Sequence, residues 1–403
     1  MRKRHVKFLA AGALAAAMVI ANLPVTSTLY MDSVETAEAA EVVDATVNIT
    51  DSTISDTSKI KVDSSTDSGV AVYKISTGGT YEFTGSSKNV AIEVAEGKNA
   101  ELILNNMIID DSSTVASAQE AVITLGKNST VSINLTGDSV IKCSNSDASK
   151  IESAILHTKN KDNVLTVCGS GSLEISGSTG DAIKAKKGVV NIESGNITIT
   201  DCYGDGIEAA TVNISGGNLD ITTIFDSAST QYYTSGTSSV SGYNTIWESG
   251  STKYERVNVD TGSHKGIKAG IKAKTEIYSD DSSNNEVTES SGGLYISGGT
   301  VTVNTLAAGL KANAVSGSYK ATSTGVYIIG APDDGLHSNN DMSITGGTIN
   351  VYASDDGITA ANDLTITGTP DINIYKAYEG IEGATIVIGE SGASTGPSID
   401  IES

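Results

Sequence analysis

The segment Asp356-Gly357-Ile358-Thr359-Ala360 belongs to a five-residue pattern that recurs along the chain and decides the fold. Most copies consist, in this order, of a charged residue, Gly or Ala, an aliphatic residue, a variable residue and a small residue. The copies occupy 181–185, 205–209, 265–269, 308–312, 334–338, 356–360 and 379–383. Where no insertion intervenes, successive copies begin 22–26 residues apart. A fixed period of this length indicates a repeat architecture in which each repeat stacks on its neighbours.

Two short apolar stretches, separated by glycine, follow most of these copies. They are 190–195 with 197–200, 212–217 with 219–222, 294–299 with 301–304, 343–347 with 349–352, and 364–368 with 372–374. Three short strands per 22–26-residue coil predict an all-β fold, a right-handed parallel β-helix in which equivalent residues stack about 4.8 Å apart. Residues at alternate positions would form aliphatic ladders inside the stack. A β-sandwich is the alternative, but it does not explain a triplet of strands at one period.

The N-terminal residues predict an export signal. Four basic residues precede the apolar stretch 8–23, and Ala37-Glu38-Ala39 matches a cleavage site with small residues at both ends. A membrane anchor is the alternative, but it needs roughly 20 apolar residues and this stretch is shorter. We therefore predict that 1–39 is a signal peptide and that the mature chain has no membrane span. The predicted location is extracellular or on the cell surface.

The remaining chain divides into two predicted parts. Residues 40–118 are strand-rich but irregular and are predicted to form an N-terminal cap with the first coils, and 119–403 are predicted to form the β-helix. Two polar insertions, 226–262 and 279–291, interrupt the period and are predicted to be loops. The sequence stops directly after a strand, which leaves open a continuation of the natural chain or end-to-end self-association.

The overall composition excludes several classes of protein. Among 403 residues there are 42 Gly but only 4 Pro, which excludes collagen-like repeats and proline-rich linkers. A hydrophobic share of 38% is too high for a disordered acidic chain. The formal net charge of −22 repels phosphate backbones, so we predict no nucleic-acid partner. Cations and cation-bridged ligands are the partners that this charge favours.

A doubled acidic motif is the most specific polar feature of the sequence. Asp333-Asp334-Gly335 with Asn340-Asp341 recurs 22 residues later as Asp355-Asp356-Gly357 with Asn362-Asp363. Carboxylates stacked one coil apart would repel by roughly 3–4 kcal/mol at an effective dielectric constant near 20. Oxygen ligands of this kind suit Ca²⁺, the one cofactor that we predict. The candidate ligands are Asp181, Asp205, Asp333, Asp334, Asp341, Asp355, Asp356, Asp363 and Glu379. The alternative is that Asp-Gly serves turn formation only.

Two further groups of residues are candidates for ligand binding. Lys184, Lys268 and Lys311 occupy the same position of the five-residue pattern, where a row of lysines could meet carboxylated sugars. Aromatic residues concentrate in 226–262, where they could stack on sugar rings. The candidates are Trp247, Tyr232, Tyr233, Tyr243, Tyr254, Lys268 and Lys311. A solvated face of mixed charge and aromatics that pin a loop to the scaffold are the alternatives.

Signatures of catalysis are sparse. The histidines at 157, 264 and 337 show no spacing typical of a triad or a zinc site. Beyond the signal peptide the only arginine is Arg256, in the first insertion. We therefore predict no catalytic residue. Stacked aspartates could mimic a hydrolase pair, so a lyase or hydrolase stays the alternative.

The run Tyr375-Lys376-Ala377-Tyr378-Glu379-Gly380-Ile381-Glu382-Gly383 resembles secreted clostridial carbohydrate-binding β-helix proteins, whose repeats follow D-G-I-[KHN]-A and K-x-Y-E-G-I-E-G. The resemblance covers about 119–403. It implies a right-handed β-helix similar in shape to pectate lyases, calcium in the coil turns, and binding of cellulose-type and polygalacturonate-like polysaccharides without lyase activity.

The leading hypothesis is therefore a secreted, calcium-dependent, non-catalytic protein that binds acidic pectic sugars, cellulose or both. A calcium-dependent pectate lyase or uronate hydrolase on the same fold is the second hypothesis. A structural surface or adhesion module is the third.

Overall fold

The structure is a computed structural model, and it describes part of the chain. The described residues are 42–64, 70–111, 121–143, 155, 162–178, 180–202, 204–223, 231–235, 245–249, 252–257, 263–272, 274–277, 285–288, 290–305, 326–329, 333–353 and 355–402. All regular structure in these residues is β-strand, so the prediction of an all-β fold is confirmed. In the same residues, no helix is long and apolar enough to cross a membrane. The predicted signal peptide lies outside them.

The strands are short and follow one another closely along the chain. They are β1 (Ala45–Asn48), β2 (Thr53–Ile54), β3 (Ile60–Ser64), β4 (Ala71–Ile75), β5 (Gly79–Ser87), β6 (Val90–Val94), β7 (Asn99–Asp111), β8 (Ile123–Leu125), β9 (Thr130–Leu135), β10 (Asp138–Cys143), β11 (Val164–Gly169), β12 (Ser172–Ser176), β13 (Ile183–Ile192), β14 (Asn196–Cys202), β15 (Ile207–Ile214), β16 (Asn218–Thr223), β17 (Gln231–Ser235), β18 (Thr245–Ser249), β19 (Thr252–Val257), β20 (Ile267–Ala269), β21 (Lys274–Ile277), β22 (Asn285–Thr288), β23 (Gly293–Ile296), β24 (Thr300–Asn304), β25 (Val326–Ile329), β26 (Leu336–Ser338), β27 (Asp341–Ile344), β28 (Thr348–Tyr352), β29 (Ile358–Ile366), β30 (Asp371–Lys376), β31 (Ile381–Ile388) and β32 (Ser398–Ile401).

Strands pair in parallel with the strands one coil away, and the pairs align into three columns. The first column joins the five-residue copies in register through Ile183, Ile207, Ile267, Leu336, Ile358 and Ile381. The second column joins Val190, Val212, Leu294, Met342, Leu364 and Ile386. The third joins Leu173, Ile197, Leu219, Val301, Ile349, Ile372 and Ile399. The chain therefore returns to the same place once per coil.

The aliphatic ladders form the core. Alternating strand residues are buried, as in Asn218–Thr223, where Leu219 and Ile221 are enclosed and their neighbours face outward. Most of the buried aliphatic and aromatic residues from Ala45 to Ala377 belong to one continuous cluster, and Val70, Val72 and Ala91 form a second, small cluster. This core leaves the outward positions and the corners between columns free to carry polar side chains.

The N-terminal part of the described chain pairs in the same way with local exceptions. Strands β4, β6 and β8 pair in parallel, and β3 pairs with β4 in the antiparallel direction. Strands β5, β7 and β9 form the start of the second column. The parallel stack thus begins well before 119.

The predicted row of lysines is described only in part. Lys268 pairs directly with His337, and Val301 pairs directly with Ile349 in the third column. The copy 308–312, which includes Lys311, lies outside the described residues.

Two insertions leave the stack at the same corner. The chain departs after Asn218–Thr223 and after Thr300–Asn304, both in the third column, and each time it returns to the first column. Strands β17, β18 and β19 come from the first departure, and β25 comes from the second. They form a four-stranded antiparallel sheet in the order β18-β19-β17-β25, which we call the side sheet. The insertion predicted to be a loop over 226–262 thus contains three strands.

The insertion predicted as a loop over 279–291 also contains a strand. Asn285–Thr288 pairs in the antiparallel direction with Lys274–Ile277 to form a hairpin between the first and second columns.

The glycine of the five-residue pattern is required by close packing between coils. A Cβ atom on Gly335 would contact Cγ1 of Val351 in the third column and lie 2.8 Å from the carbonyl oxygen of Gly357. The same clash with the glycine carbonyl of the next coil, at 2.6–2.8 Å, recurs at Gly206, Gly266 and Gly357. At these four coils the first and third columns approach so closely that a Cβ atom would clash, whereas the copy 181–185 has Ala182 at this position.

Replacing Gly335 tests this packing. We expect Gly335→Ala to lower the free energy of unfolding by about 1–3 kcal/mol, because the added methyl group overpacks the corner. Gly396→Ala is the control, since a Cβ atom there meets nothing within 4 Å, and its effect should stay within about 0.5 kcal/mol. Urea denaturation followed by circular dichroism measures both. Equal stability of the two variants would contradict the packing explanation.

Candidate functional site

Two rows of polar residues meet at the corner between the third and first columns, which we call the acidic corner. The turn row holds the first residue of each copy, and the strand row holds the fourth. The turn row is Asp181, Asp205, Lys265, Asp334, Asp356 and Glu379. The strand row is Lys184, Glu208, Lys268, His337, Thr359 and Glu382. Parallel pairing in register places each residue directly over its counterpart one coil away.

The upstream part of the corner is a carboxylate cluster closed by lysines. Ligand oxygens of Asp181, Asp205 and Glu208 lie within 4.8 Å of one another, and all three residues are buried. The ammonium of Lys268 lies 3.1 Å from Asp205 Oδ2 and 3.1 Å from Glu208 Oε1. The ammonium of Lys184 lies 3.1 Å from Asp181 Oδ2. The two lysines supply the positive charge that the stacked carboxylates need.

Charge and burial shift the pKa values in this cluster in opposite directions. Burial, and then the neighbouring Asp205, raise the pKa of Asp181 to about 7. Burial also opposes ionisation of Glu208, but Lys268 outweighs it and lowers the pKa of this carboxyl group. Although burial acts against its charge, the carboxylates of Asp205 and Glu208 raise the pKa of Lys268. The ammonium therefore stays charged at neutral pH.

The middle of the corner repeats this arrangement with Lys265. Its ammonium lies 2.9 Å from Asp333 Oδ1 and 3.0 Å from Asp334 Oδ2. His337 Nδ1 also lies 2.7 Å from Asp334 Oδ2. Burial raises the pKa of Asp333 to about 6, whereas the contacts with His337 and Lys265 outweigh burial and lower the pKa of Asp334. The backbone N–H of His264 donates to Asp333 Oδ2 at 2.8 Å, which fixes this turn.

In the downstream part of the corner, the described positions of the turn row and the strand row hold acidic residues and Thr359 but no lysine. Ligand oxygens of Asp356, Glu379 and Glu382 lie within 4.8 Å of one another. Within the described part of the chain, no ion pair joins these three residues to a lysine or arginine. Burial, followed by the charges of Asp334 and Asp355, raises the pKa of Asp356 to about 8. This is the place on the corner where a cation would relieve repulsion.

The structure separates two predicted calcium ligands from the acidic corner. Asp341 and Asp363 follow the first-column strands, so they lie at the corner between the first and second columns. There the N–H of Asp363 donates to Asp341 Oδ1 at 3.4 Å. Asn362 Nδ2 donates to Asn340 Oδ1 at 2.7 Å, so an amide ladder runs beside them. The doubled motif therefore contributes to two corners and not to one site.

Exposed tyrosines accompany the downstream carboxylates, and sequence reasoning missed them. The rings of Tyr352 and Tyr375 stack with centroids 4.8 Å apart and an interplanar angle of 16°. Tyr375 is 39% exposed and Tyr378 is 55% exposed. The N–H of Tyr378 donates to the carbonyl oxygen of Asp355 at 2.7 Å, which ties it to the acidic turn. The signal was available, because Tyr352 and Tyr375 are one coil apart in the sequence.

The predicted ligand-binding residues fall into three groups. Lys268 forms ion pairs with Asp205 and Glu208, and its contact with a ligand stays a prediction. The backbone of four aromatic candidates belongs to the side sheet: Tyr232, Tyr233, Trp247 and Tyr254. Tyr243 and Lys311 lie outside the described residues.

The fold and the corner define an all-β protein of stacked parallel strands with rows of carboxylates at one corner and exposed tyrosines beside them. A family model of carbohydrate-binding domain-containing proteins matches residues 69–326 and 281–396. The chain belongs to this carbohydrate-binding domain family. No curated protein and no solved structure matches the chain.

Removing Lys268 tests the role of the lysines as internal counter-ions. We expect Lys268→Met to lower the free energy of unfolding by about 3–5 kcal/mol at pH 8, because it removes the ammonium that lies nearest to two buried carboxylates. Without the ammonium, burial raises the folded-state pKa of Glu208 relative to its value in the wild-type chain. The variant should then regain stability as the pH falls toward 5 and this carboxyl group takes up a proton.

Lys186→Met is the matched control, since this side chain is 65% exposed and its ammonium lies 3.8 Å from Glu208 Oε1. Its effect should stay below about 1 kcal/mol. Thermal denaturation at pH 5 and pH 8 measures both variants. A Lys268→Met loss that is no larger than that of the control, or is equal at both pH values, would contradict the counter-ion role.

Proposed function

We propose that the mature chain is a secreted, non-catalytic protein that binds polysaccharides of the plant cell wall. The observation that carries this proposal is the family match, which spans most of the described chain. The proposed ligands are acidic pectic chains such as polygalacturonate, and cellulose-type chains. The proposed cofactor is Ca²⁺.

The proposed architecture is the right-handed parallel β-helix. Its support is the parallel register of the three columns, in which the chain advances by one strand per coil. Connections between parallel strands of one sheet are right-handed in about 98% of cases. A stack of this kind offers a long, straight and rigid surface, which suits an extended polymer.

The proposed glycan surface at the acidic corner rests on Tyr352, Tyr375 and Tyr378. Aromatic rings provide flat apolar area against which the C–H face of a sugar ring can pack. The stacking of Tyr352 on Tyr375 restricts both rings before a ligand arrives, so little conformational entropy is lost on binding.

The proposed calcium site is the cluster of Asp356, Glu379 and Glu382. Carboxylate oxygens are hard ligands of the kind that Ca²⁺ takes, and no lysine neutralises them in the described residues. A cation here could also bridge to the carboxylates of an acidic glycan. The upstream cluster is a weaker candidate, because Lys184 and Lys268 already supply its positive charge.

The lysines of the corner also favour a binding role over lyase activity. A lyase needs a base that accepts a proton from the sugar. The pKa values of Lys265 and Lys268 are raised by the carboxylates around them, although burial opposes this, so neither lysine readily gives up its proton.

Retention on polysaccharide tests the proposed function. We expect the mature chain to be retarded in native gels that contain polygalacturonate or soluble cellulose derivatives, and Tyr375→Ala to reduce the retardation. Tyr295→Ala is the control, since Tyr295 is equally exposed, at 38%, but projects from the second column. The proposal fails if the wild-type chain migrates unretarded in every glycan. Release of unsaturated product, followed by its absorbance, would establish the lyase alternative instead.

Calcium-dependent melting tests the proposed cofactor. The pKa of Asp356, about 8, is above the ordinary value of 3.8, so the folded state without metal loses stability as the pH rises between these values. We expect Ca²⁺ to raise the melting temperature, and to do so most at high pH. At 100 times its Kd, the ion should add about 2.7 kcal/mol to the free energy of unfolding. Asp356→Asn should remove most of both effects, and Asp363→Asn, at the other corner, should keep them. An unchanged melting temperature of the wild-type chain on calcium addition would exclude the site.

A further inference from the structure

Two amides adjoin the stacked tyrosines on the outer face of the third column. Asn350 precedes Tyr352 by two residues in β28, and Asn373 precedes Tyr375 by two residues in β30. Residues two apart in a strand face the same side of the sheet, and all four side chains are at least partly exposed. Asn350 pairs directly with Asn373 one coil away. We call these four residues the tyrosine–amide patch.

A β-bulge positions the outer tyrosine of this patch. The pairing of β28 with β30 shifts by one residue after Ile374, and Tyr352 pairs with Lys376. Tyr375 is therefore an extra residue in the register of β30. Bulges of this kind re-aim side chains and are over-represented beside functional sites. Here the extra residue is the one whose ring stacks on Tyr352 at a centroid distance of 4.8 Å.

The two amides form a ladder that leaves hydrogen-bonding groups for a ligand. Asn373 Nδ2 donates to Asn350 Oδ1 at 3.4 Å, and Asn350 Nδ2 donates to Thr302 Oγ1 at 3.4 Å. These contacts are long, since N–H···O hydrogen bonds in proteins typically measure about 2.9–3.0 Å. An amide group has two N–H donors and an oxygen with two lone pairs, so the ladder uses only part of this capacity. Sugar hydroxyl groups both donate and accept hydrogen bonds, and they match the groups that remain.

A second ladder of the same composition lies on the second column. Asn213 Nδ2 donates to Asn191 Oδ1 at 2.8 Å, and Asn191 Nδ2 donates to Thr166 Oγ1 at 3.1 Å. Both contacts are shorter than their counterparts beside the tyrosines. Asn191 thus reproduces the place of Asn350 between an amide and a threonine, but on a different face of the stack.

Carboxylates border the tyrosine–amide patch. Asp400 pairs with Asn373 one coil further on, about 4.8 Å away. Burial, then the neighbouring tyrosine and Glu402 raise the pKa of the Tyr352 phenol, so the Glu402 carboxylate lies near this ring. Lys376 pairs with Tyr352, but acidic residues outnumber it at the border; they are Asp371, Asp400 and Glu402. A sugar carboxylate on the patch would therefore meet net repulsion.

We propose that the tyrosine–amide patch is a subsite for uncharged sugar units, distinct from the proposed calcium site. This inference rests on the proposed polysaccharide-binding function and assigns its two ligand classes to two neighbouring places. A sugar ring packs its C–H face on the exposed ring of Tyr375, and its hydroxyl groups bond to the amides of Asn350 and Asn373. A uronate carboxylate is excluded from the patch by the acidic border.

Matched asparagine variants test the subsite. In native gels with Ca²⁺, we expect Asn350→Ala to raise the apparent Kd for hydroxyethyl cellulose, an uncharged soluble glycan, about fivefold, because hydrogen bonds to sugar hydroxyls are lost. The Kd for polygalacturonate should stay unchanged. Asn373→Ala should repeat this result with less disturbance of the ladder. Asn191→Ala removes the equivalent contacts on the second column and should bind both glycans like the wild-type chain.

Matched aspartate variants test the exclusion of uronates. Asp400→Asn removes the carboxylate beside Asn373, and at low ionic strength we expect it to lower the Kd for polygalacturonate roughly twofold. Asp220→Asn is the control, since Asp220 lies in the same outward row but upstream of Thr302. It changes the net charge of the chain equally and should leave this Kd unchanged.

Several results would overturn the subsite. They are hydroxyethyl cellulose binding by Asn350→Ala and Asn373→Ala that is as tight as that of the wild-type chain, an equal loss in Asn191→Ala, a parallel loss of affinity for both glycans, or equal effects of the two aspartate variants. A wild-type chain that polygalacturonate alone retards would overturn the subsite and leave the proposed function standing. A chain that no glycan retards would overturn both, which distinguishes the two failures.

Discussion

The rest of the structure depends on the in-register stacking of parallel strands. Each residue lies about 4.8 Å from its equivalent one coil away, so any residue type that repeats forms a row of like groups. For Ile, Val and Leu this produces a continuous core. For Asp and Glu it produces a row of repelling charges, which the chain must neutralise. The acidic corner is the place where this conflict is concentrated.

The two halves of the acidic corner meet this requirement differently. Upstream, Lys184, Lys265 and Lys268 lie within 3.1 Å of the carboxylates that they neutralise, so the lysine replaces an external cation. Downstream, Thr359 and Glu382 occupy the strand-row positions that correspond to Lys184 and Lys268. Within the described residues, no ammonium group neutralises the carboxylates there. One recurring five-residue pattern therefore supports internal ion pairs at one end and a proposed cation site at the other.

The residues that we propose to bind calcium and glycan lie at one corner, where glycine lets the first and third columns approach closely in most coils. The long insertions leave the stack at the same corner. Pairing in register holds the residues of the acidic corner at fixed positions from coil to coil. Rigid presentation of aromatic and charged groups reduces the entropy lost when an extended polymer binds.

The sequence predicted the columns well and the partners of side chains poorly. The period of Ile207, Leu336 and Ile358 sufficed for the parallel register, because a buried face strongly specifies strand pairing. The ion pairs of Lys265 and Lys268 depend on pairing across insertions, and the register of the side sheet joins segments more than 90 residues apart. Neither follows from local pattern.

Hydrogen–deuterium exchange of the mature chain, with and without polygalacturonate in the presence of Ca²⁺, tests most directly whether the acidic corner is the binding surface. We predict protection of its downstream part at 352–383. The first coils, at 90–143, should exchange unchanged. Protection confined to those first coils, or spread evenly along the stack, would contradict the assignment.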